Sequence, residues 1–245
     1  MIKIEIDGIE IISNRDKEEH KELCSIINEY IDEIFKDIPR EEVVKWIKKF
    51  DFTQECIDSE KGIKGYYDLE DKLIMIVNEN KSYINLIIYH EITHVRIYYE
   101  DRNNHIKIPK YWDLINEYKT KILTCTYFID DCIKYNLEDK LNSIFEFIIS
   151  DLLDNLEKIK KRFDRNEDLD ISTSEVHELW YISACMASNL YLIDKYREYL
   201  PLKVVEIFEP FKELKYVQPI LKICNCKYEI SNLEVNYLMS TLDLV

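Results

Sequence analysis

Apolar and polar residues alternate through Ile2, Ile4 and Ile6, and the apolar set resumes at Ile9 and Ile11 beyond Asp7-Gly8. Period-2 alternation gives a half-buried strand its two faces, and Asp-Gly favours a tight type I′ turn, so residues 2–12 predict a small β-hairpin. From Asp16 to Ile38 the apolar positions recur at helical spacing, Pro39 interrupts, and Glu41 to Phe50 is expected to continue as a second short helix. The polar stretch Asp51 to Gly65 reads as a loop. Lys72 to Val77, KLIMIV, is a short apolar run of β-formers bounded by charge and predicts a strand.

Helical spacing returns near Asn80. Ile84, Ile87, Ile88, Ile92 and Val95 fall on one stripe, the mark of a helix buried on one side. Two long helices are expected over Tyr111 to Tyr135 and Leu137 to Phe163, divided at Asn136. The charged segment Arg162 to Asp170 is the best surface linker. Ser172 and Glu175 have capping-box spacing ahead of a helix to about Leu200, and Ser231 with Glu234 repeats that signal. The expected fold class is α+β and predominantly helical, with a small N-terminal β element, one domain over 1–163 and a helical C-terminal subdomain over 164–245.

Composition sharpens this picture. Only 3 Gly and 5 Pro among 245 residues leave little turn chemistry, which suits a compact, helix-rich chain. A formal charge of -15 repels phosphate backbones and anionic lipids, so neither nucleic acid nor a membrane surface is an expected partner. Apolar runs fall far short of the roughly 20 residues that a bilayer span needs. The N-terminus has strand alternation in place of the basic and apolar regions of a signal peptide, which gives the expectation of a cytoplasmic protein. Seven cysteines, odd in number and without a CxxC pair, fit reduced thiols. Cys224 and Cys226 form a lone CxC, a poor metal framework without a second pair.

The chemistry lies in His90-Glu91-Ile92-Thr93-His94, an HExxH sequence within a predicted helix. At 3.6 residues per turn, positions four apart share a face, so both imidazoles can reach one tetrahedral Zn²⁺. Glu91 then stands beside the metal without ligating it, placed to take a proton from a zinc-bound water and hand it to a leaving amine. Chance would produce the pattern roughly 0.01 times in a chain of this size and His content. The expected cofactor is therefore Zn²⁺, and the expected activity is a metallopeptidase acting on a peptide or protein substrate. The alternative is a non-catalytic interaction or regulatory module.

Between about Lys72 and Phe163 the chain resembles the zincin metallopeptidases, and their gluzincin-like branch most closely. A weaker resemblance links it to the ImmA-type regulatory peptidases of bacteria and prophages. The extended metzincin pattern is absent, since VRIYYEDRNNH follows His94 without the required Gly. The resemblance implies a zincin-like fold over 1–163, an edge strand ahead of the active-site helix, and a third metal ligand from a later helix. Asp151 is ranked first for that role, because it lies in an apolar helix and has Asn155 one turn on. Glu117, 23 residues beyond His94, is the second candidate, although Lys121 stands where an acidic supporting partner is expected; Glu146 is the third.

Hydrolysis also needs a group that steadies the oxyanion of the tetrahedral intermediate. His177 is the first candidate, with Tyr181 on the same helical face. His20 and His105 are read as solvated. In zincins the strand bordering the cleft can pair with extended peptide, and Lys72 to Val77 is either the counterpart of that strand or a plain edge strand.

Overall fold

A computed structural model describes residues 1–55, 64–77, 83–103, 112–163 and 173–213. The chain divides into two compact units, Met1–His105 and Ile106–Val245. The segment proposed as a linker, the Ser231 cap, Cys224, Cys226 and His105 fall outside the described residues, apart from the end of a helix at Phe163.

The first unit is built on a five-stranded mixed sheet in the order β1-β2-β3-β5-β4. Strands β1 (Ile2–Ile6) and β2 (Ile9–Ser13) form the expected hairpin. Asp7 and Gly8 both have positive φ, 50° and 83°, which is what a type I′ turn requires of its two central residues. Helix α1 (Lys17–Ile34) then begins at Asp16, whose carboxylate accepts hydrogen bonds from the backbone N–H of Glu18 and Glu19 at 2.9 Å each. That cap satisfies two donors that the first turn leaves without partners.

The expected helix over 41–50 is only partly present. Helix α2 stops after Arg40–Val43, and β3 (Lys49–Phe52) lies parallel to both β2 and β5. Residues 49–52 alternate, Phe50 and Phe52 are fully buried, and ladder hydrogen bonds on both sides outweigh the local helical spacing. The expected loop over 51–65 likewise yields strand at both ends, since β4 (Gly65–Asp68) pairs antiparallel with β5 (Leu73–Ile76). The strand read at 72–77 is therefore present but interior, held between β3 and β4. The edge beside it is β4.

One row of side chains runs across this sheet through Ile4, Ile11, Phe50, Ile74 and Tyr67, which are register partners in turn. Helix α1 packs on β1, helix α3 (Ile84–Asn103) packs on β4 and β5, and the two helices pack together, so they share a face of the sheet. Tyr30 meets Tyr89 edge-on at 5.1 Å between them. Arg96 adds a two-pronged contact to Asp37, with Nη1–Oδ1 at 2.7 Å and Nη2–Oδ2 at 3.0 Å.

His20 is not solvated as expected. It is wholly buried on α1, with Nδ1 2.6 Å from the Ser13 hydroxyl, and Nε2 is buried without a hydrogen-bond partner. Burial lowers its pKa, because a charged imidazolium there would lose its water. The folded form therefore refuses a proton that the unfolded chain accepts. Its contribution is intact above about pH 6.5 and is lost as pH falls below that value, by at most about 1.4 kcal/mol per pH unit. Chemical denaturation at pH 7.5 and 5.5 should show this loss in the parent and a smaller one in His20→Leu. An equal loss in both would remove His20 as its source.

The second unit packs α4 (Trp112–Lys134), α5 (Glu138–Phe163) and α6 (Thr173–Lys195) against one another, with a 3-10 turn and α7 (Leu202–Phe208) beyond. Ile122, Ile129, Ile148, Leu152, Met186 and Leu190 form its apolar centre. Asn136 divides α4 from α5 as expected, at φ 54°. The N–H of Leu137 bonds back to Cys132 O at 2.9 Å, and that of Asn136 to Ile133 O at 3.3 Å. This is the hydrogen-bond pair of a Schellman ending, which needs a left-handed residue. The four described cysteines, Cys24, Cys125, Cys132 and Cys185, are buried free thiols. No helix among the described residues is long and apolar enough to cross a membrane.

Candidate metal centre

The HExxH residues lie midway along α3. Ile88, Ile92 and Val95 are fully buried beneath it, and Tyr89, Glu91 and Thr93 are buried as well, so this helix is covered around more of its girth than one stripe. Thr93 turns its hydroxyl back to Tyr89 O at 2.8 Å, which leaves it occupied within the helix. His90 and His94 are half-buried, their rings are nearly perpendicular at 4.6 Å, and their Nε2 atoms stand 3.0 Å apart. Two nitrogens bound tetrahedrally at about 2.05 Å from one Zn²⁺ would be separated by about 3.3 Å. The imidazole pair is thus already close to the spacing of two ligands on one ion.

Glu91 points elsewhere. One residue on from His90 and roughly 100° around the helix, it is 5% exposed and lies against β4. Its carboxylate comes so near the backbone of Gly65 that a carbon placed on that residue would sit 2.3 Å from Oε1. Beside it along the strand, Tyr67 is buried, donates to Trp46 O at 2.7 Å and meets Tyr98 of α3 at 6.0 Å. Tyr67 thus holds strand β4 against α3 next to this approach.

The acids ranked as third ligand occupy different settings in the second unit. Asp151, on α5, uses Oδ2 to accept from Lys121 Nζ on α4, from Asn155 Nδ2 at 3.1 Å and from Asn189 Nδ2 on α6 at 2.8 Å. One carboxylate oxygen thus ties three helices together. Burial raises the Asp151 pKa, but the Lys121 charge and the hydrogen bonds from Lys121 and Asn189 outweigh it and leave the group below its ordinary value. For Lys121, burial works downward and the Asp151 charge wins, so the ammonium is held above its ordinary value. The spacing of Asp151 and Asn155 is used for this helix-to-helix tie. Lys121, at the place where an acid was expected, receives its acid from α5 instead.

Glu117 is half-buried on α4, one turn before Lys121, and its negative charge raises the pKa of both Asp151 and Cys185. Glu146 is exposed on α5. His177 belongs to α6, with its side chain outside the described residues, and Tyr181 on the same helix is 39% exposed. Among the described His, Cys, Asp and Glu side chains, His90, His94 and Glu117 form a group that could hold a metal ion. His90 and His94 belong to the first unit and Glu117 to the second.

No family model, curated protein or solved structure matches the chain.

Two features escaped the sequence reading. The Lys121–Asp151 pair joins residues 30 apart on different helices, and no local spacing signals it. Gly65 carried a faint signal as one of only 3 glycines in the chain.

Proposed function

We propose that the protein is a zinc-dependent metallopeptidase in which His90, His94 and Glu117 hold the metal and Glu91 is the general base. The observation that supports this most directly is the pair of imidazole Nε2 atoms 3.0 Å apart on α3, with Glu91 buried on the same helix. Two neutral imidazoles and one carboxylate are a donor set suited to Zn²⁺ with a position left open. A metal bound there would act as a Lewis acid, lowering the pKa of water and polarising a scissile carbonyl.

The chain's own residues supply the rest. Glu91 accepts the proton of the attacking water through its carboxylate and returns it to the departing amine nitrogen. Its burial keeps bulk water from competing for that proton. Strand β4, the edge of the sheet among the described residues and in contact with Glu91, would present its outer main-chain groups to an extended peptide. That assigns to β4 the substrate role expected of Lys72 to Val77, which is paired on both sides.

Metal analysis of protein purified without chelator tests the reading. We expect close to one Zn²⁺ per chain in the parent and none in His90→Ala/His94→Ala, with the helical circular dichroism of the two proteins alike. Full zinc content in the double variant would place the metal elsewhere in the chain and end the assignment.

A further inference from the structure

Gly65 opens β4, and its backbone does not need to be glycine. Among the described glycines Gly8 has a positive φ, whereas Gly65 lies in the range that any residue adopts. A glycine inside a strand costs conformational entropy and contributes no side chain to packing, so another reason must keep it there. Space supplies that reason. A Cβ at position 65 would lie 2.3 Å from Glu91 Oε1 and 2.8 Å from both Cδ and Cγ, far inside the roughly 3.5 Å of ordinary contact.

The neighbouring structure limits any escape. Residues 65 and 67 point to the same face of the strand, and Tyr67 is buried there against α3. Gly65 is in register with Ile76, and Val77 N–H bonds to Lys64 O at 2.9 Å, so the ladder holds the strand on either side of the glycine. The Glu91 side chain is 5% exposed, on a helix whose Ile88, Ile92 and Val95 are fully buried. Moving only the tip of the carboxylate would not relieve the contact at Cγ.

We propose that Gly65 is a positioning residue for Glu91: its missing side chain admits the carboxylate against the β4 backbone and sets the direction in which that group faces. This rests on the reading of Glu91 as general base. A methyl group at position 65 would push the carboxylate out of place, since the three heavy atoms nearest to it all belong to Glu91, and a displacement of about 1 Å costs about 100-fold in rate.

Gly65→Ala, Glu91→Ala, the double variant and Glu91→Gln, each loaded with Zn²⁺, form the test. The readouts are metal content, thermal unfolding and cleavage of an internally quenched peptide library. Gly65→Ala should retain its zinc, lose about 100-fold in kcat with KM little changed, and unfold at a lower temperature than the parent. In the Glu91→Ala background, where the obstructing atoms are gone, the same change should leave the unfolding temperature equal or higher. If Gly65→Ala alone fails to fold, recovery of folding in the double variant carries the same meaning. Equal unfolding shifts in the two backgrounds would overturn the inference, as would parental turnover by Gly65→Ala beside an inactive Glu91→Gln. Parental turnover by Glu91→Gln would instead remove the general-base reading, while the unfolding cycle would still decide the contact.

Discussion

Glu91→Gln is expected to retain one Zn²⁺ per chain and the parental fold while losing turnover by several orders of magnitude. The amide has nearly the shape of the carboxylate, so it fills the same buried space beside β4. It cannot accept a proton at its oxygen near neutral pH, and proton transfer by a placed base is worth about 10²–10⁴-fold. In the proposed mechanism the residue also carries that proton to the leaving amine, so one substitution would remove both steps. Zinc content and peptide cleavage measured on the same preparation check this. Cleavage at the parental rate would deny Glu91 its role and favour a zincin-like shell kept for binding or regulation.

Where a feature depends on residues close in the chain, the sequence reading and the structure agree. Asp7-Gly8 turns the hairpin through two positive φ angles, and Asn136 ends α4 in the left-handed conformation; both are properties of single residues. The i, i+4 spacing of His90 and His94 brings their Nε2 atoms together because helix geometry alone does so. Features made by partners distant in sequence were hidden. Residues 49–52 have helical neighbours and became strand because β2 and β5 lie on either side. His20 has charged neighbours in sequence yet is buried with Ser13, since α1 turns that face toward β1 and β2. Asp151 follows the same rule. An acid in an apolar helix must be paired, protonated or metal-bound, and the choice among these was set by Lys121 and Asn189 on two other helices.

That distinction yields the last expectation, a reversal of the order in which the acids were ranked. Asp151→Ala should act mainly on stability. It strands Lys121, whose side chain is 8% exposed, and removes the acceptor shared by Asn155 and Asn189. Breaking a buried pair from one side costs about 3–5 kcal/mol, and the low end applies because the Asp151 side chain is 33% exposed. Acid should act in the same direction. The Asp151 pKa is lowered on folding, so its contribution is present above the ordinary carboxylate range and is lost as pH falls through and below it. Lys121→Met/Asp151→Asn, which removes both charges together, should recover much of what the single change loses. Glu117→Ala should instead act on the metal, lowering zinc affinity by orders of magnitude, because the proposed third ligand is lost. Zinc titration and thermal melts of the same variants separate the two roles. Weak zinc binding in Asp151→Ala at a temperature where it is fully folded, beside normal binding in Glu117→Ala, would return Asp151 to the metal and leave Glu117 as a helix-surface acid.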